Sequence, residues 1–148
     1  MASIRTRKTK RVFVDSSVLI AAAISGRGAA RDLIRRGFRG EIDLCIAPEV
    51  LEESERNLSA KAPVALADFY IFRDLLAGKL VDPPASLVLA CANVVALKDA
   101  PIVAGAIHAS ATHLATYDRK HLLQHKEKIR EQFGVIVVVP DEIIKARP

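Results

Sequence analysis

The sequence predicts an α/β protein, a three-layer α/β/α sandwich around a central parallel sheet of four to five strands. Three observations predict it. Short runs of strand composition recur along the chain as "VFV", "IDLCIA", "HLATYD" and "VIVVV", bounded by polar or turn-forming residues as buried strands require. Segments of helical composition separate them, and buried strands alternating with helices give a parallel sheet covered on both faces. Two of the strands, "RVFVD" and "HLATYD", end on an aspartate, a charge placed where burial is about to strip its hydration.

The elements follow in order. Val12, Phe13 and Val14 form the first strand, and "SSVLIAAAIS" after Asp15 reads as a helix with Ser16 or Ser17 at its cap. Gly26 and Gly28 end it, and "AARDLIRRGF" is a second helix closing near Gly37. Residues 42–47 form the second strand. Pro48 opens a helix over "PEVLEESERNLSAKA", at the position where proline is tolerated. "PVALADFYIFRDLLAG" is a further helix, and "KLVDPP" a short strand stopped by two prolines. "ASLVLACANVVAL" fits a strand or a buried helix equally. "DAPIVAGAIHASA" is a helix starting on Asp99 with Pro101 in its first turn. Residues 113–118 are a strand, "RKHLLQHKEKIREQF" a charged helix, and 135–139 the last strand, ended by Pro140.

A chain of 148 residues suffices for one domain with its own core. That domain is expected over 11–148, behind a basic, flexible tail over 1–10; Arg5, Arg7, Lys8, Lys10 and Arg11 face no acid, which suits a solubilising arm or a nucleic-acid contact. Cys45 and Cys91 are isolated among apolar neighbours and read as small buried hydrophobes, not as a zinc site or disulfide. No stretch reaches the roughly 18 uncharged apolar residues of a membrane span. The start "MASIRTRKTKR" lacks the apolar segment of a secretory signal, so the expected location is cytoplasmic. A net charge of +5 suits a polyanionic partner without requiring one.

In parallel sheets the working site lies beyond the carboxyl ends of the strands. Asp15 and Asp118 end strands there, Asp99 opens a helix near the same edge, and Glu49, Glu52, Glu53 and Glu55 lie on the helix after the second strand. Each acid alone has an ordinary alternative: Asp15 and Asp99 as helix caps, Asp118 as the start of a turn. Together, converging carboxylates repel and call for protons or a cation. Oxygen ligands suit Mg²⁺ or Mn²⁺, and such ions can activate a phosphodiester for hydrolysis.

The stretches "VFVDSSVLIAA", "APEVLEESERNL", "LKDAPIVAGAIHASATHLATYD" and "VIVVVPDEII" resemble, in order, the successive motifs of PIN domains. These are metal-dependent ribonucleases that include the toxins of VapC-like toxin–antitoxin pairs. The resemblance runs from about Arg11 to Ile144. It implies a catalytic and metal-binding set of Asp15, Glu53, Asp99 and Asp118. Glu53 is the match because the family's glutamate follows an apolar pair on that helix, here Val50 and Leu51; Glu49 is its nearest rival. Ser17 stands where the family often has asparagine, and Thr116 keeps the family's hydroxyl; both would support an aspartate. Tyr117 replaces a common glycine and adds bulk. Lys120 replaces a frequent further acid, which weakens the case for a second ion and offers a cation to a phosphate. The resemblance further implies RNA as substrate, cleavage leaving 5′-phosphate and 3′-hydroxyl ends, a cognate antitoxin, and pairing of the chain as a homodimer.

Arg27, Arg31 and Arg35 recur every four positions and would make one helical stripe, either a solvated face or a contact for RNA or antitoxin. His121 and His125 share i,i+4 spacing but enclose "LLQ" and not the HExxH pattern, so they read as surface residues of a charged helix. No serine sits in a nucleophile elbow. Two other classes stay open: a catalytically silent PIN-like scaffold binding RNA or protein, and a receiver-like signalling domain. The receiver needs an acidic pair near the first strand, and none precedes Asp15.

Overall fold

Every strand of the sheet runs parallel to its neighbours, in the order β2-β1-β3-β4. The computed structural model describes residues 9–145; most of the basic segment expected at 1–10 lies outside them. β1 (Arg11–Val14) and β3 (His113–Ala115) form the centre, with Phe13 opposite Leu114. β2 (Asp43–Cys45) flanks β1, and β4 (Ile136–Val138) flanks β3. Val12, Phe13 and Val14 are fully buried, as expected for a strand covered on both faces.

The helices follow the hydrophobic pattern. α1 (Ser16–Ile24) is apolar nearly all round and packs among α2 (Ala29–Phe38), α3 (Pro48–Lys61) and α4 (Leu66–Leu75). α2 buries Ala30, Leu33 and Ile34 and leaves Arg35 exposed, the apolar stripe and polar face of a surface helix. α5 (Ala85–Cys91) packs on α6 (Ala100–His108), which lies against β1 and β3. α7 (Lys126–Phe133) covers β4, and α8 (Pro140–Lys145) packs on α2. The architecture is α/β with a four-stranded parallel sheet, compatible with a three-layer sandwich. No described helix is long and apolar enough to cross a membrane.

Four expectations change in detail. "KLVDPP" supplies one bridge, Ile46 to Leu80, and no strand; Pro83 and Pro84 have no N–H to extend the ladder. The ambiguous segment 85–97 is helical over α5 and then turns. The charged helix starts only at Lys126, after a turn and a 3₁₀ segment at Leu123–His125. Pro140 ends β4 and also opens α8, its fixed φ suiting a first helical turn.

Candidate metal centre

The strand order reverses between β1 and β3, since the chain leaves β1 for β2 on one side and returns to β3 on the other. Ligand crevices of parallel sheets open at such points. Asp15 and Asp118 both follow these central strands.

Asp15 extends the β1–β3 ladder, its N–H donating to Ala115 O at 3.1 Å, and its side chain is only 6% exposed. The carboxylate does not cap α1. Instead Oδ2 accepts the hydroxyls of Thr116 at 2.8 Å and Ser17 at 2.9 Å. The Thr116 oxygen in turn accepts the Asp118 N–H at 2.9 Å, and the Ser17 oxygen accepts the Tyr117 N–H at 2.9 Å. Each hydroxyl has a single proton, and both protons go to Asp15, so the two oxygens relay backbone N–H groups onto the charge. That network accounts for a nearly buried carboxylate, and it sets the Ser17 and Thr116 hydroxyls on Asp15.

Asp118 opens a turn. Its Oδ1 accepts the His121 N–H at 2.9 Å, and its Oδ2 lies 3.1 Å from His121 Nδ1. Asp99 sits at the amino end of α6 without a side-chain capping bond. Its Oδ2 is buried and has no hydrogen-bond partner among the described residues. Burial holds the Asp99 carboxyl above its ordinary pKa; His121 and Lys98 oppose the shift, while the charges of Asp118 and Asp15 add to it. A carboxylate oxygen desolvated beside two further acids is costly unless a cation meets it.

Asp99, Asp118 and His121 each offer one ligand atom, all within 4.8 Å of one another. Two carboxylates, one of them with an unsatisfied buried oxygen, and an imidazole form a donor set that fits a divalent cation. Of the four expected acids, Asp99 and Asp118 thus meet directly. Asp15 is not in that group; its Oδ2 accepts the two hydroxyls, and its charge acts on Asp99 from nearby. Glu53 is exposed on α3, whose buried face is Val50, Ser54 and Leu58, and it does not join the group. Glu49 is exposed as well.

His121 is the member that sequence reading missed. The available signal was its three-residue distance from Asp118, obscured by a helix expected to begin at residue 119. Lys120 is exposed beside the group. Tyr117 turns its hydroxyl to Asp141 of α8, 3.4 Å away.

The arginines of the predicted stripe differ in their surroundings. Arg27 and Arg35 are exposed, but the Arg31 side chain is only 14% exposed and pairs with Asp68 of α4 at 2.7 Å. It also donates to Ala22 O at 2.7 Å and lies over the Phe72 ring. Arg35 faces Asp32 at 3.5 Å. The three do not form one free cationic row. A cleft of about 520 Å³ at the amino edge of the sheet, lined by Arg11, Asp43, Lys79 and His108, is likewise internally paired. Asp43 meets both Arg11 at 2.8 Å and Lys79 at 3.3 Å.

No family model matches the sequence, and no curated protein matches it either. Among solved structures the chain is similar to the crystal structure of PAE2754 from Pyrobaculum aerophilum, with a TM-score of 0.60 and 18% identity over 97% of this chain and 94% of that one. At that identity the likeness is one of fold, carried through nearly the full length of both chains.

Proposed function

We propose that this protein is a Mg²⁺- or Mn²⁺-dependent endoribonuclease of PIN type, acting as the toxin of a toxin–antitoxin pair. The observation that carries the reading is the meeting of Asp99, with its unsatisfied buried oxygen, and Asp118 at the reversal point of a parallel sheet. The ordered resemblance of four sequence stretches to PIN motifs supplies the reaction. A bound divalent ion would polarise a phosphodiester and lower the pKa of a coordinated water.

The chain's own residues do the rest. Asp99 and Asp118 would hold the ion, and Asp15, fixed by Ser17 and Thr116, would add negative charge that raises affinity for it. Lys120, exposed beside the site, offers a cation to an RNA phosphate. The resemblance gives Glu53 the orienting of the attacking water, a role that α3 would have to bring to the site from outside the Asp99–Asp118–His121 group. RNA, a cognate antitoxin and a second copy of the chain are the partners this reading implies, in the cytoplasm.

The test is cleavage of single-stranded RNA by the purified protein with Mn²⁺ or Mg²⁺, against EDTA and against Asp99→Asn. Cleavage is expected only in wild type with metal. Millimolar Mn²⁺ is expected to raise the melting temperature, because the ion binds the folded carboxylates and not the unfolded chain; Asp99→Asn should lose most of that rise. The exposure of Glu53 outside the cluster favours one second reading, a silent scaffold. Metal binding with no cleavage of any RNA would select it.

A further inference from the structure

We propose that His121 is itself a ligand of the ion, and that its imidazole makes the site prefer Mn²⁺ to Mg²⁺. The inference rests on the metal site proposed above and assigns its third donor and its selectivity. The group that the fold assembles at residues 99, 118 and 121 is not purely acidic, and its ligand atoms already lie within 4.8 Å of one another. Adjacent ligand atoms on an octahedral ion with bonds of about 2.1 Å stand about 3 Å apart. His121 Nδ1 stands 3.1 Å from Asp118 Oδ2.

The ring is delivered there by the backbone. The His121 N–H is held on Asp118 Oδ1 at 2.9 Å, and Leu122, next along the chain, is buried with 1% exposure. The turn therefore fixes where residue 121 points before any ion arrives. In the same group, Asp99 carries a buried Oδ2 with no hydrogen-bond partner among the described residues. A water or an ion is what such an oxygen lacks, and three converging donors favour the ion. An ion held by His121 Nδ1 would take the place of the Nδ1–Asp118 hydrogen bond, and the ring would then carry its proton on Nε2.

Selectivity follows from the donor set. Mg²⁺ sheds water reluctantly and favours oxygen, whereas imidazole nitrogen suits first-row transition ions. Both ions suit the two carboxylates, and of the two Mn²⁺, a first-row transition ion, accepts the nitrogen donor more readily.

A rival role exists: His121 could hold Asp118 by its hydrogen bond and never touch the ion. The experiment separates the two. Mn²⁺ is titrated into the full chain and followed by electron paramagnetic resonance, Mg²⁺ is then added as competitor, and pulsed spectra of the bound Mn²⁺ are searched for nitrogen coupling. Wild type is expected to show coupling to one imidazole nitrogen. His121→Ala should lose that coupling and about 10- to 100-fold in Mn²⁺ affinity, at least the loss seen for outer-sphere partners, with much less change for Mg²⁺. His121→Asn keeps a side-chain N–H for Asp118 and should lose the coupling and the preference all the same. Circular dichroism and melting curves check that both variants fold.

Bound Mn²⁺ without nitrogen coupling, or an unchanged Mn²⁺-to-Mg²⁺ ratio in His121→Asn, would overturn the assignment and leave the carboxylate site standing. Mn²⁺ binding that Asp99→Asn does not weaken, or no binding at all, would remove the site and the assignment together.

Discussion

Arg31 lies on the row that the four-residue spacing of Arg27, Arg31 and Arg35 draws along α2, yet it serves the interior. Its guanidinium reaches the carbonyls of Ala22 and Ser25 near the end of α1, the carboxylate of Asp68 on α4, and the face of Phe72 at 5.0 Å. Three helices are tied by one side chain. Hydrogen bonds from a charged group are worth about 1.5–3 kcal/mol each when the partner would be left unsatisfied, but Asp68 is 47% exposed and water replaces part of the loss. Arg31→Ala should therefore cost about 1–3 kcal/mol in denaturant unfolding. Arg27→Ala removes the same charge from an exposed position and should stay within about 0.5 kcal/mol. Equal effects would show that the packing of Arg31 contributes nothing. Spacing alone could not separate these residues, because periodicity reports a helical face and not what the neighbouring helix brings to it. His121 was hidden for a related reason. A carboxylate that captures the N–H three residues on offers the backbone an alternative to a helix, and no pattern of apolar residues reports that choice.

At the scale of the element, α6 and β3 set the position of the site. α6 approaches β1 through Gly105, where a Cβ would stand 2.8 Å from Cε2 and Cζ of Phe13, a fully buried ring. Gly105→Ala must push the helix off the sheet or the ring out of place, and such overpacking costs about 1–3 kcal/mol. Asp99 stands at the start of the same helix, so the variant should also weaken Mn²⁺ binding. A wild-type melting temperature and metal affinity would show that the helix can shift freely. β3 carries His113, whose pKa is lowered by burial and, to a lesser degree, by the charge of Lys10. The sign follows from linkage. Below the ordinary histidine pKa of about 6.5 the unfolded chain takes up a proton that the folded one resists, so stability falls as pH drops from there toward the folded value. Melting curves between pH 7 and pH 5 should show this decline, and His113→Gln should flatten it. An identical decline in the variant would assign it to other groups. The strands and most helices were legible because burial on two faces demands long apolar runs. The exceptions were segments whose fate rests on single polar or proline residues: 79–84, 119–125 and the start of α8.

For the whole molecule, legibility stopped at the same boundary. Alternation of strands and helices dictates a parallel sheet, and a parallel sheet dictates a carboxyl edge, so the convergence of Asp99 and Asp118 could be read without coordinates. Which carboxylate oxygens remain free could not, since that depends on where the hydroxyls of Ser17 and Thr116 turn. Glu53 shows the other limit. A motif can place a residue on α3, but the rotation of that helix is set by Val50, Ser54 and Leu58 packing inward.

The pairing of Val12 with His113 has a consequence for the chain as it leaves the ribosome. β1 is a central strand, and the partner on one of its sides is made about a hundred residues later. At 5–20 residues per second that interval lasts on the order of 5–20 s. Through it, one edge of an apolar strand stays open, the template on which chains join one another. A nascent chain of this design has reason to need a chaperone between the emergence of β2 and that of β3. The metal site proposed above is also incomplete through that time, because neither Thr116 nor Asp118 has yet been made.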